Sequence, residues 1–448
     1  MHCRLFLFTI LLLSGITTAY GQIDTTQQGP FAFNLANCIQ YGLAHQNDVV
    51  NARLDINFSR EQIKEATGKL LPHADINASF TDNMKLATSL IPDLTNPTSP
   101  EKIPVQFGTR FASSVTGQVN QTIFNSDYFL GLKAAKVYGG LAERTYKRTE
   151  IDTRVAISKA YYAVLANEEN IRLSKSNMEQ LEKTLKDTKA RYDVGVAERV
   201  DVDRIQVSYN NVVTDIETQI RLLVYTTQLL KFQMGMPQEA KLDLTEKVQD
   251  LNADDFLTDT IDYRVQDRVE YDIQTTQIAI NELSLKSKKM GYLPSLSAYV
   301  NYGWNYFSTD FGDLYKTGFG ASALGVTLAW PIFTGTERLH QIRQNQITLK
   351  KSQNDLDYLS QQIKLEVTNA NTVYLNNKAK MVTQKTNMGL TQGIYDRIVL
   401  KFEQGVATSL DVTSAESDLK QAQVDYVQAL LNTLISKTDL DKAMGKIK

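Results

Sequence analysis

The sequence predicts an α+β protein built mostly of long α-helical hairpins, with four β-strands inserted in two matching pairs. Three observations carry this reading. The first is an internal duplication. Arg191-Tyr192-Asp193-Val194-Gly195-Val196-Ala197 with Asp201-Val202 is matched by Lys401-Phe402-Glu403-Gln404-Gly405-Val406-Ala407 with Asp411-Val412, an offset of 210 residues. Met234-Gly235 against Met444-Gly445 keeps the same offset, and Leu71-Pro72 pairs with Leu293-Pro294 at a longer one. A repeat of about half the chain is a duplication and not a solenoid. The second observation is apolar spacing of seven across tracts free of proline: none lies between Pro104 and Pro237, and none follows Pro331. The third is a change of period to two in four short segments.

Composition bounds the rest. A chain of 448 residues would by length alone make two or three domains, a count that the duplication replaces with one repeated unit. Its 48 basic and 50 acidic residues give a net charge of -2, which leaves no basic excess for a phosphate backbone, so nucleic-acid binding is not expected. The mean hydropathy is negative, which excludes a multi-helix membrane protein. At the N-terminus a basic residue within Met1 to Arg4, the apolar run Leu5 to Leu13 and the small residues around Ala19-Tyr20-Gly21 read as a signal peptide over residues 1–21, cleaved before Gln22. The alternative is an uncleaved membrane anchor, but the apolar run is short for a bilayer span. Cys3 leaves with the signal and Cys38 stays alone, so no intrachain disulfide is expected; neither cysteine sits in a lipoprotein context, so no lipid anchor is expected either.

The first repeat, residues 22–236, is expected to hold a helix, two strands within 71–124 and a helical hairpin over 127–235. The second, residues 237–448, is expected to hold a helix over 262–291, two strands within 293–333 and a hairpin over 336–445. Heptad spacing defines the hairpins. Ile171, Met178, Leu185 and Tyr192 recur every seven residues, as do Val367, Tyr374, Met381, Met388, Tyr395 and Phe402. After each glycine the pattern restarts: Val202, Tyr209, Ile216, Leu223 and Leu230 in one copy, Val412, Leu419 and Tyr426 in the other. Ala415, Ala422 and Ala429 fill the alternate positions of the second seam and let neighbouring helices approach closely. Such seams imply helices packed along their length with left-handed supercoiling. Roughly 65 residues at about 1.5 Å each make each first arm about 100 Å long. Gly195 and Gly405 suit the left-handed residue that ends a helix, and Asp201 and Asp411 fall in the first turn of the next, where a carboxylate suits the dipole. The Gly139-Gly140 pair marks a weak point or a close contact.

In the strands, Ala74, Ile76, Ala78 and Phe80 alternate with His73, Asp75, Asn77 and Ser79, and Phe111, Val115, Val119 and Ile123 with Ser114, Thr116, Gln118 and Asn120. Leu296 to Tyr306 and Leu324 to Ile332 alternate likewise. The linkers differ: Met84 to Gly108 holds four prolines, whereas Ser308 to Gly318 is short. The only tryptophans, Trp304 and Trp330, fall on apolar faces with Tyr302 and Tyr306, an arrangement that suits aromatics at a membrane interface. An apolar face opposite a hydroxyl- and amide-rich face fits an outer-membrane barrel; it also fits a soluble sandwich. If the strands are in membrane, four cannot close a barrel, for which about eight is the smallest common number, and open edges cannot face lipid. The protein would then be an oligomer whose subunits each donate four strands.

The signal, the duplicated helix, strand, strand, hairpin unit and the Tyr/Phe-x-x-Gly tips followed by Asp-Val resemble the TolC-like outer-membrane efflux protein family. The resemblance runs from Leu35-Ala36-Asn37-Cys38-Ile39 and Leu71-Pro72 through Arg268-Val269-Glu270 and Leu293-Pro294 to Gly445. It implies a homotrimer with a 12-stranded β-barrel in the outer membrane of a Gram-negative bacterium, continuous with a helical coiled-coil tunnel through the periplasm. It implies a mixed equatorial region from the segments near Phe31 to Gly42, Pro237 to Asp262 and the C-terminal tail. It also implies a passive exit duct of a tripartite efflux pump or type I secretion system, with a periplasmic adaptor and an inner-membrane transporter as partners and no cofactor. Gly195, Val196, Ala197, Gly405, Val406 and Ala407 match the tips that meet the adaptor; the other reading is turn chemistry alone. Asp411 matches a carboxylate ring at the periplasmic constriction, which would attract cations; helix N-terminal stabilisation explains it equally well. Asp201 fits the second reading better. Phe402 stands where the best-known member has tyrosine, Ala407 where it has arginine and Ser414 where it has a second aspartate. The polar latch that those residues would make is weakened here, which leaves packing to hold the gate.

Other chemistry has little support. His45, His73 and His340 are far apart and in no metal or catalytic spacing, so no metal site is expected. Gly318-x-Gly320 with Ala323 resembles a nucleotide fingerprint only loosely, since it lies within a strand that leads to no helix of a βαβ unit. An enzyme is not expected. The second class of function is an exported structural coiled coil or adhesin without channel activity, which would need the heptads but not the paired strands. Cargo is not legible in the sequence.

Overall fold

The computed structural model describes residues 31–92, 102–248 and 262–447. The expected signal peptide and part of the expected equatorial segment lie outside these residues. The first half runs β1 (Phe31–Phe33), α1 (Leu35–His45), α2 (Asn47–Gly68), β2 (His73–Asp82), β3 (Thr88–Pro92), β4 (Lys102–Gln106), β5 (Phe111–Phe124), α3 (Ser126–Asp193) and α4 (Arg199–Met234). The second runs β6 (Leu242–Leu244), a 3-10 turn (Val265–Asp267), α5 (Val269–Met290), β7 (Ser295–Ser308), β8 (Gly318–Ala329), α6 (Glu337–Glu403) and α7 (Ser409–Ala443).

The long arms α3 and α6 have 68 and 67 residues. Each folds back on a partner, α3 on α4 and α6 on α7, and α7 also lies against α3 and α4. The seven-residue seams are where the helices bury their apolar side chains: Val367, Tyr374, Met381, Tyr395 and Phe402 along α6, and Val412, Ala415, Leu419, Ala422 and Ala429 along α7, are all buried. The interior is therefore a set of patches strung along the hairpins instead of one core. One patch gathers Ile157, Tyr161, Leu165, Leu230, Met234 and Leu434 beside Cys38 of α1. Another, nearer the tips, holds Leu181, Leu185, Ile205, Tyr395, Phe402 and Leu419. A third joins Ile363, Val367 and Tyr374 to Leu440 and Met444. Through Gly139-Gly140 helix α3 runs on unbroken; a Cβ at Gly139 would lie 3.1 Å from Ile63 Cδ1, so of the two readings of this pair it is the close contact, with α2, that the structure contains.

Strands β2, β5, β7 and β8 form one antiparallel sheet in that order. Its register aligns the apolar positions of all four strands. Ala78, Val115, Trp304 and Gly320 lie in one row, and Ala74, Val119, Val300 and Leu324 in another. Residues opposite each other share a face, so one side of the sheet is apolar and the other carries Asn77, Thr116, Gln118 and Asn301. The outer strands β2 and β8 leave open edges within this chain.

Four details depart from the sequence reading. The proline-bearing linker after β2 contains a further antiparallel pair, β3 with β4, in which Pro104 sits opposite Leu90; a two-stranded ribbon tolerates proline because one edge of each strand needs no partner. Phe31–Phe33 pairs in parallel with Leu242–Leu244, a three-residue ladder too short to show a period. The first helix is broken at Gln46, whose side chain accepts from Val49 N and restarts it as α2. Strand β8 ends at Ala329, so Trp330 and Ile332 follow the strand instead of lying in it.

Candidate functional site: the helical tips and the sheet face

The two hairpin tips close with the same hydrogen bonds. Gly195 has φ +77° and its N–H donates to Tyr192 O at 2.9 Å, while Val196 N–H reaches back to Arg191 O at 2.8 Å. Gly405 has φ +75°, with Gly405 N–H to Phe402 O at 3.0 Å and Val406 N–H to Lys401 O at 2.8 Å. This is the left-handed helix ending that glycine alone adopts without cost. Both tips present an apolar point, since Val196 and Val406 are each 75% exposed. Ala407 differs from Ala197 in packing against the patch around Phe402.

Behind each tip a carboxylate caps the next helix. Asp411 Oδ2 accepts from Thr408 N at 2.8 Å and from Thr408 Oγ1 at 2.7 Å, and Thr408 Oγ1 accepts from Asp411 N at 3.3 Å. This reciprocal box satisfies donors that the helix start leaves unpaired. The bonds from Thr408 hold the Asp411 carboxyl below the usual carboxylate range. Asp201 does the same for α4, accepting from Glu198 N at 3.2 Å, and its other oxygen accepts from buried Ser409 Oγ at 2.5 Å. Asp201 thus ties α4 to α7 within one subunit. Asp411 and Ser414 are both exposed and share a stripe of α7 with Asp418 and Gln421, because positions i, i+3 and i+7 face one way.

Phe402 is buried, and it has a polar neighbour that the sequence did not reveal. The Arg191 guanidinium lies 5.9 Å from the Phe402 ring centroid and donates to the backbone carbonyls of Phe402, at 3.1 Å, and Glu403. It joins the ends of α3 and α6. Further along the hairpins from the tips, Asn177 and Gln423 pair reciprocally in a buried setting, Nδ2 to Oε1 at 2.7 Å and Nε2 to Oδ1 at 3.3 Å, and Lys420 pairs with Asp215. The only sequence signal for Arg191 was its difference from Lys401, the matching position of the other copy.

Midway along α6, beside the C-terminal end of α7, Arg268 is buried and joins three elements. It donates to Glu270 at 2.9 Å, to Glu366 at 3.2 Å and to the carbonyl of Ala443 at 2.9 Å. Burial opposes ionisation of Glu270, but the hydrogen bond and charge of Arg268 outweigh it and leave its carboxyl below the ordinary value.

On the sheet, Tyr302 and Trp304 meet edge to face at 6.3 Å and are exposed, whereas Tyr306 is partly covered by Tyr315 at 5.2 Å. Trp330 is exposed near the helical end and donates from Nε1 to Tyr292 O at 3.1 Å. The expected interface aromatics therefore fall at two levels, separated by roughly 30 Å along the strand. Gly318 and Gly320 lie under the rings of Tyr306 and Trp304: a Cβ at Gly318 would be 2.7 Å from Tyr306 Cε1. Their spacing serves ring packing, not a phosphate loop.

Two long helical hairpins, each continuous with a pair of strands in one antiparallel sheet, define the class as an elongated helix-and-sheet protein. The chain belongs to the outer membrane efflux protein family, whose sequence profile matches residues 38–219 and 284–446. Among curated relatives it is 23% identical over 343 residues to the outer membrane efflux protein BepC of Brucella suis, covering 75% of this chain and 73% of that one. It is 21% identical over 439 residues to outer membrane protein TolC of Escherichia coli, covering 93% and 83%. Among solved structures, the outer membrane protein VceC of Vibrio cholerae superposes with a TM-score of 0.69 at 15% identity, over 92% of this chain and 96% of that chain. Membership makes it an outer-membrane protein that extends into the periplasm of a Gram-negative cell, in a family of channels and not of enzymes.

Proposed function

We propose that three copies of this chain form the passive exit duct of a tripartite efflux pump or type I secretion system. The observation that carries this reading is the four-stranded sheet with an apolar face and two open edges, β2 and β8, joined to helical arms of about 100 Å. Open edges are not tolerated in lipid, so β8 of one subunit pairs with β2 of the next, and three times four strands close a 12-stranded barrel. The polar face then lines water and the two aromatic levels meet the two membrane surfaces. The helices continue the barrel as a tunnel.

The six tips of the trimer, Gly195-Val196-Ala197 and Gly405-Val406-Ala407 from each chain, are the docking points for a periplasmic adaptor, which their exposed valines suit. Asp411 forms a ring of three carboxylates at the constriction, with Phe402 packed behind it and Ser414 beside it. The inner-membrane transporter supplies the energy. Detergent-extracted outer membrane tests this directly: the protein should migrate at trimer size and shift on heating, and a water-soluble monomer would overturn the duct.

A further inference from the structure

Where the sheet meets the helices, a cavity of about 460 Å³ is lined by residues from four segments, among them Asn125, Asp127, Ser295, Trp330 and Arg338. It holds one cation and one anion that do not pair with each other. Arg338 lies against the ring of Tyr292, 5.2 Å from its centroid, and its Nη1 is buried against Gly291, with no acceptor among the described residues. Among the described residues no carboxylate pairs with it. Asp127 uses Oδ1 to accept from Ser287 Oγ at 2.7 Å, which leaves Oδ2 for another donor. A guanidinium kept from any carboxylate has unspent donors, and an anion bearing oxygen acceptors is what they suit.

The surroundings say what carries that anion. Leading toward the cavity are Leu324, Val326 and Leu328 on the apolar face of the sheet, then Trp330 and Ile332 just beyond the end of β8; the first and last of these five are 82% and 83% exposed. The strip ends at the aromatic level nearer the helices, where a bilayer surface would lie. Asparagine and serine side chains complete a wet lining that an acyl chain alone would not need.

We propose that this cavity binds the headgroup of a phospholipid that carries both a phosphate and a primary ammonium group. Arg338 donates to the phosphate and Asp127 Oδ2 accepts from the ammonium, while the acyl chains lie along Leu328 and Ile332. The site rests on the reading of the four strands as part of a membrane barrel. It predicts a lipid held on the periplasmic side at the joint where the barrel passes into the tunnel.

Native mass spectrometry of the delipidated, detergent-solubilised protein, titrated with phosphatidylethanolamine or phosphatidylglycerol, tests it. The expected result is several-fold more phosphatidylethanolamine adduct than phosphatidylglycerol adduct. Arg338→Gln should lower both adducts by roughly ten-fold, the scale of one charge-assisted contact. Asp127→Asn, which keeps the acceptor for Ser287, should erase only the preference between the two lipids. Equal adducts in Arg338→Gln and wild type would overturn the proposal, as would displacement of both lipids by inorganic phosphate, which would make this a simple anion site. A trimer that folds, shifts on heating and yet holds neither lipid would overturn the lipid site and leave the barrel standing. Extraction as a water-soluble monomer would remove the barrel and the lipid site together.

Discussion

Arg191, in the last turn of α3, donates from Nη1 to the carbonyl of Phe402 at 3.1 Å and so fastens the end of one long arm to the end of the other. The carbonyls at a helix C-terminus carry partial negative charge and lack intrahelical donors, so a guanidinium there meets both needs. Arg191→Ala should leave the fold intact while loosening the tips. In planar bilayers its mean conductance should exceed that of wild type; identical conductance would show that packing around Phe402 suffices.

Asp411 offers a test of the constriction. Within one chain the hydrogen bonds from Thr408 lower its carboxyl below the ordinary aspartate value, so it keeps its charge to lower pH than a free aspartate does. Block of the channel by multivalent cations should therefore fade on acidification at a lower pH than a free aspartate would give. Asp411→Asn should weaken block at neutral pH. Unchanged block would leave Asp411 with its cap alone.

Arg268→Gln should lower stability by about 3 kcal/mol, because removing one partner leaves Glu270 in a poorly solvated place; the more exposed Glu366 adds little. The sign of the pH effect follows from the depressed Glu270 carboxyl. Its contribution is present above the unfolded glutamate value and is lost as pH falls through the folded one. Thermal midpoints of wild type should therefore fall on acidification across that window, and those of Arg268→Gln should fall less.

Glu416 behaves in the opposite sense. Burial pushes its carboxyl up, offset in part by Lys420 and reinforced by Asp215, and among the described residues its Oε1 and the hydroxyl of buried Tyr395 both lack a partner. A carboxyl that ionises more readily in the unfolded chain makes the fold less stable as pH rises from the unfolded value to the folded one. Glu416→Gln should raise the thermal midpoint at neutral pH and flatten that decline. A lower midpoint at neutral pH would mean that the ionised form is the one the fold prefers.

Two glycines with similar φ should respond differently to alanine. At Gly195 a Cβ meets open space, so the cost is the left-handed backbone alone, about 1–2 kcal/mol. At Gly235, φ +68°, a Cβ would lie 2.6 Å from His45 O and 2.8 Å from Gln46 Cα, both backbone atoms at the joint of α1 and α2. Gly235→Ala should lower the thermal midpoint well beyond Gly195→Ala; equal losses would mean that the joint yields freely.

Periodic features were the legible ones. Val367, Tyr374, Met381, Tyr395 and Phe402 recur at multiples of seven and are buried, with Met388 half-buried between them, and Leu296 to Tyr306 alternate in sequence and across the sheet. Such patterns are written in residue type. The contacts of Arg191, Arg268 and Ser409 were not legible, because each joins segments whose separation in sequence says nothing of their separation in space. Asp411 and Asp201 read alike at the start of their helices, yet only Asp201 has a buried hydroxyl from another helix. The ribbon of β3 and β4 escaped notice because prolines argue against strands in general but not at a free edge.

The matched lengths of α3 and α6, 68 and 67 residues, act as a ruler. Adding one residue to either arm would raise its tip by about 1.5 Å and swing every side chain beyond the insertion by about 100°. Adding seven would return the side chains nearly to their former bearings while lifting one tip about 10 Å clear of the other. Gains and losses of sequence in these arms are therefore tolerable only when both copies change together, so the two halves of the gene must share one length history even where their side chains have gone separate ways.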